Sequence, residues 1–127
     1  MLLKNFYNLD RISHQNNVLN CTITINKDHD IFKGHFPGNA VTPGVCMMQI
    51  IKELLEKALD SELILQSVQN AKFTSIINPQ IDPVVDLIIE YSETQQGFAV
   101  KNISKCNQTT ALKLNALFVR ASESNEN

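Results

Sequence analysis

Apolar and polar residues alternate through VLNCTITI at positions 18–25, with β-branched side chains filling its second half, the pattern of a strand with one buried face. The rhythm changes at residue 45. From there to 59 the chain reads VCMMQIIKELLEKAL without a proline or glycine. Its first half is apolar on nearly every side, and its second half leaves Lys52, Glu53, Glu56 and Lys57 able to face water. A helix apolar all round is a buried one. Pro43 and Gly44 precede it, where a missing N–H or a pliant backbone is tolerated. At about 1.5 Å per residue the helix would run roughly 22 Å. Strand-like patterning then returns four times, over 63–77, 84–92, 98–105 and 110–119, with NPQIDP, ETQQG and CNQT as the turns between. In the second of these, Val85, Leu87, Ile89 and Tyr91 share one face, and Asp86 and Glu90 the other.

One buried helix set against about five or six antiparallel strands defines an α+β domain with the helix on one face of the sheet. The N-terminal segment before residue 18 is assigned no element, and the polar tail 121–127 is expected to fray. A single helix cannot easily cover so long a sheet, so the exposed face or edge is expected to be closed by a second copy, giving a homodimer.

The 127 residues suit one domain, 1–127, and 43% hydrophobic content suffices for its core. A formal charge of −2 with no basic run gives no electrostatic case for nucleic acid. Cys21, Cys46 and Cys106 are odd in number and too far apart for a C-x-x-C motif, which favours a reducing compartment over a disulfide framework. The opening MLLKNFYNLDRIS lacks an apolar core and a small-residue cleavage site, and no stretch is long enough to span a membrane. A cytoplasmic protein is the expectation.

Between the first strand and the helix lies a loop, KDHDIFKG followed by HFPGNAVTPG, long for so small a domain; such loops usually carry function. GHFPGNAVTPGV resembles the G-H-F-P-G-x-x-x-x-P-G-V stretch of the 3-hydroxyacyl-acyl carrier protein dehydratases of fatty-acid synthesis, in register throughout. NAKFTSIINPQIDPV is similar, more loosely, to that family's basic-phenylalanine strand running into a proline turn. The resemblance covers about residues 18–119. The N-terminal segment lacks the family's early histidine- and proline-rich signature, and Ala40 stands where proline is common.

The resemblance implies the hotdog fold, a long central helix wrapped by antiparallel sheet, with composite sites at a dimer interface. It implies an acyl chain delivered on acyl carrier protein through its phosphopantetheine thioester, and neither cofactor nor metal. Residue by residue, His35 matches the catalytic histidine, and Gly44 the glycine whose backbone N–H binds the thioester carbonyl. That role suits a helix start, where unpaired N–H groups and the dipole favour a developing oxyanion. Elimination of water needs a base for the α-proton and an acid for the departing hydroxyl. The family's acid is a carboxylate fourteen residues beyond the histidine, offered across the dimer; that position holds Gln49. An amide can hydrogen-bond a hydroxyl but cannot protonate it, and losing such a group commonly costs ~10²–10⁴ in rate.

The family's glutamate-x-x-x-glutamine is here exchanged to Gln49 and Glu53, which share a helix face about 6 Å apart. Three readings stay open at this point. Glu53 compensates through a water; Glu53 is only a solvated helix residue; or His35 takes the α-proton and returns it to the hydroxyl while Gln49 holds the oxygen. Gln49 could also be a buried amide satisfied by backbone, touching no substrate. Phe36, Pro43, Val45, Cys46 and Met48 are candidates to line the acyl site; Met47, Ile50 and Ile51 are core or tunnel wall. Cys46, two residues past the turn, could in principle be a nucleophile, since a helix N-terminus lowers a thiol's pKa. Lys33 and Lys72 could meet an acidic carrier, but two lysines make no patch. His14 and His29 read as surface residues. The functions carried forward are a dehydratase acting on carrier-bound 3-hydroxyacyl thioesters, an inactive or weak acyl-binding subunit paired with an active relative, and, third, a hotdog thioesterase.

Overall fold

The computed structural model describes residues 4–33 and 41–121. His35, Phe36 and positions 122–127 of the tail expected to fray lie outside the described residues. Six strands form one antiparallel sheet: β1 (Tyr7–Gln15), β2 (Val18–Ile25), β3 (Leu63–Phe73), β4 (Val84–Glu93), β5 (Phe98–Cys106) and β6 (Thr109–Arg120), in the order β1-β2-β4-β5-β6-β3. A short 3₁₀ turn (Asp30–Phe32) follows β2, and one helix, α1 (Gly44–Leu59), precedes β3.

The helix buries one stripe, Cys46, Met47, Ile50, Ile51, Leu54 and Leu55, each at most 2% exposed. It joins a single core with Leu19 and Ile23 of β2, Val85, Leu87 and Ile89 of β4, Val100 of β5, and Leu112, Leu114 and Phe118 of β6. One helix held by a six-stranded antiparallel sheet is the hotdog arrangement.

Three elements depart from the pattern-based expectation. The N-terminal segment, assigned nothing, is β1. Its pairing with β2 shifts register between Leu9 and Arg11, so the partly buried apolar positions fall at 7, 9 and 12, and the period of two is broken in mid-strand. β3 ends at Phe73 rather than 77. The apolar residues beyond leave the ladder, and Ile77, 4% exposed, accepts the Thr42 N–H on its carbonyl at 2.9 Å, bracing the chain just before the helix. The helix, finally, is not covered all round. Val45 is 66% exposed, while Met48, Gln49, Lys52 and Glu53 are only partly buried, because they occupy the face opposite the core stripe.

Turn chemistry fixes the hairpins. Asn16 and Asn17 (φ 54° and 64°) close β1–β2, and Asn107 and Gln108 (φ 49° and 67°) close β5–β6; paired positive φ values match the twist of the flanking strands. Between β4 and β5, Gly97 has φ 149°, and a Cβ there would lie 2.3 Å from the Phe118 carbonyl oxygen. Only glycine fits.

Candidate active site

The start of α1 sets up the first part of the site. Pro43 is the N-cap and offers no side-chain cap; its carbonyl accepts from Cys46 (3.0 Å) and Met47 (3.3 Å). The N–H groups of Gly44 and Val45 have no partner among the described residues. Unpartnered N–H groups at the positive end of a helix dipole are the kind of donor that suits an oxyanion. The phenyl ring of Phe73 lies over Gly44: a Cβ there would sit 2.6 Å from Cζ. The bare α-carbon thus has an observed cause, close approach of an aromatic ring, beside the expected one of clearing a path for substrate. Phe73 is 51% exposed, which leaves this ring free to line an approach to the donors. The Thr42 hydroxyl, beside them in sequence, is buried without a hydrogen-bond partner among the described residues.

One turn further on, Gln49 donates from Nε2 to Oε2 of Glu53 at 3.0 Å, an i,i+4 contact on the face that the core leaves uncovered. The second carboxylate oxygen of Glu53 accepts the phenol of Tyr7, from β1, at 2.9 Å. Burial, then the hydrogen bond to Glu53 and the negative charges of Glu53 and Cys21, push the Tyr7 phenol well above the usual tyrosine range. The phenol is a donor, and Glu53 an acceptor on both oxygens.

The structure thus brings Gln49 and Glu53 into direct contact, and gathers Pro43, Gly44 and Val45 at the helix start. Cys46 and Met48 split between faces: Cys46 belongs to the core at 2% exposure, whereas Met48 is half-buried against it. Burial pushes the Cys46 thiol up, against the lowering expected of a helix N-terminus; at this position desolvation outweighs the dipole. Cys21, Cys46 and Cys106 are free thiols. Lys33 pairs with Asp30 at 3.2 Å on the surface. His14 is exposed and bonded to the Tyr91 hydroxyl at 2.7 Å, and His29 caps the 3₁₀ turn. Tyr7 and Phe73 were not singled out from sequence. Phe73 stood within the quoted strand motif; Tyr7 lay in a segment whose bulge hid the strand.

The acceptor-bearing helix face thus lies one turn from the first N–H groups of α1, on a hotdog scaffold. The profile described as ApeI-like (ApeI dehydratase) matches residues 11–112. The chain belongs to that family. A 3-hydroxyacyl-[acyl-carrier-protein] dehydratase FabZ from Caulobacter sp. (strain K31) is 31% identical over 108 residues, 77% of this chain and 64% of that one; the chain thus spans less than two-thirds of that relative's length. The FabZ of Rickettsia typhi is 30% identical over 104 residues, 75% of this chain and 70% of that one. Among solved structures, the dehydratase heterocomplex ApeI:P from Xenorhabdus doucetiae superposes with a TM-score of 0.76 at 18% identity, covering 89% of this chain and 97% of that one, a likeness of fold. Among the described residues, no helix is long and apolar enough to cross a membrane.

Proposed function

We propose that the protein eliminates water from 3-hydroxyacyl thioesters carried on acyl carrier protein, giving the trans-2-enoyl thioester, in the cytoplasm. The observation that carries the mechanism is the Gln49–Glu53 hydrogen bond. Glu53 accepts on both oxygens, from Gln49 and from Tyr7, and in this reading it orients Gln49 rather than protonating substrate. His35, by the resemblance, takes the α-proton while the Gly44 N–H stabilises the enolate oxygen. The imidazolium so formed returns that proton to the β-hydroxyl, whose oxygen Gln49 holds; the C–O bond breaks, water leaves, and His35 is neutral again. One histidine does both transfers, and the proton count closes without a second acid.

A dimer is part of the proposal. The face carrying Val45, Met48 and Gln49 and the edge strand β3, with Ile64, Val68 and Phe73 exposed, are apolar surfaces that a second copy would cover. His35 of one protomer would then meet Gln49 of its partner. The test is direct: purified protein with a 3-hydroxyacyl carrier substrate, followed for enoyl thioester. Enoyl product supports dehydration; release of free thiol instead points to thioester hydrolysis.

A second reading has its own support in Gln49, an amide where a proton donor belongs. The chain would be an acyl-binding subunit that meets an active relative supplying the carboxylate, as the ApeI:P neighbour is itself a heterocomplex. A wild type silent alone and active when mixed with such a relative favours it.

A further inference from the structure

The dehydration reading assigns no role to the N-terminal strand, yet β1 sends one side chain into the site. Tyr7 reaches 46 residues along the chain to donate its phenol to Glu53 at 2.9 Å. We propose that Tyr7 is a positioning residue for the candidate site: by fixing Glu53 it fixes the amide of Gln49, with one N–H turned to the carboxylate and the carbonyl oxygen and second N–H left for the substrate's hydroxyl. This inference rests on the dehydration reading for its consequence, and on geometry alone for its existence.

The chain of contacts is continuous. Glutamate is a long side chain, and holding it in one rotamer is entropically costly unless both oxygens are engaged. Gln49 occupies Oε2 and Tyr7 occupies Oε1, which leaves the carboxylate one orientation. A carboxylate accepts and does not donate, so it can face only the NH₂ end of the Gln49 amide; the amide's orientation follows from the charge of its neighbour. Replace Glu53 by solvent and both orientations become open.

Tyr7 is itself anchored. It pairs with Ile25 at the head of the β1–β2 ladder, and the preceding residue, Phe6, is fully buried. Phe6 stacks on Phe32 at 5.6 Å between ring centroids and meets His29 edge-on at 5.2 Å, while its carbonyl accepts from the Asn26 N–H at 2.7 Å. The backbone that carries the phenol is thus anchored, one residue before it, by the aromatic cluster of Phe6, His29 and Phe32. Desolvation and the adjoining carboxylate keep the proton on the phenol, so the donor persists over the working pH range.

The experiment compares wild type with Tyr7→Phe, Glu53→Ala and the double variant. Side-chain amide NMR of Gln49, assigned by its loss in Gln49→Glu, is read alongside kcat and KM. Tyr7→Phe is expected to move the Gln49 amide resonances and to lower kcat about tenfold, the usual size for one lost hydrogen bond to a charged group, with KM unchanged. In the Glu53→Ala background the same change is expected to add nothing, since Tyr7 acts through Glu53. Amide resonances unmoved by Tyr7→Phe, or kinetic losses that add in the double variant, overturn the proposal. A wild type without turnover sinks the dehydration reading alone; the amide resonances still decide the role of Tyr7.

Discussion

Glu53 carries a hydrogen bond on each carboxylate oxygen, and Gln49 spends one of its two N–H groups on that carboxylate. In the proposed mechanism the pair divides what one residue does in the family pattern: the amide holds, the carboxylate orients, and neither hands over a proton. Placing glutamate at 49 would set a second carboxyl group against Glu53 where the present 3.0 Å contact lies, and like charges so close disfavour the doubly ionised pair. Gln49→Glu is therefore expected to acquire a general acid, worth up to ~10²–10⁴ in rate, and a descending alkaline limb in its pH–rate profile. An unchanged profile would show that position 49 does not face the hydroxyl. The residue-scale chemistry was partly legible. The exchange of glutamine and glutamate was visible in sequence, and helical spacing put the two on one face; their direct hydrogen bond was not foreseen. Tyr7 was not, because a tyrosine 46 positions away is joined to Glu53 only by tertiary folding.

At the scale of elements, periodicity found the helix within a residue of its start and five of the six strands. It failed where geometry breaks the period. The register shift between Leu9 and Arg11 hid β1, and Ile76 and Ile77 after Phe73 imitated strand although the ladder ends there and the Ile77 carbonyl instead accepts the Thr42 N–H. Burial of the helix was overestimated for a related reason. Val45 and Met48 are as apolar as the core stripe, yet lie on its far face. The β4–β5 turn is the most constrained connection: with Gly97 at φ 149° and no room for a Cβ beside the Phe118 carbonyl, Gly97→Ala is expected to cost about 1–3 kcal/mol from backbone strain alone. A urea midpoint indistinguishable from wild type would show that the β4–β5 turn relaxes freely.

Among the described residues, the sheet as a whole carries one helix and has two edges, and β3, eleven residues long, is the edge beside the exposed Val45 and Phe73 surfaces. A strand edge of that length with Ile64 and Val68 40% exposed is poorly protected in a lone chain. The isolated protein is expected to sediment at twice the mass of one chain, and Val68→Lys to shift it to monomer while leaving the circular dichroism spectrum unchanged. A monomeric wild type would favour the heterodimeric reading instead.

The division of labour between one histidine and a held amide is tested most directly by the pH dependence of kcat/KM for wild-type protein on a carrier-bound 3-hydroxyacyl substrate. With His35 as the sole proton-transferring group, the rate is expected to rise with pH through a single ionisation and stay flat above it. A bell-shaped profile whose alkaline limb disappears in Glu53→Gln would contradict this, making Glu53 the acid.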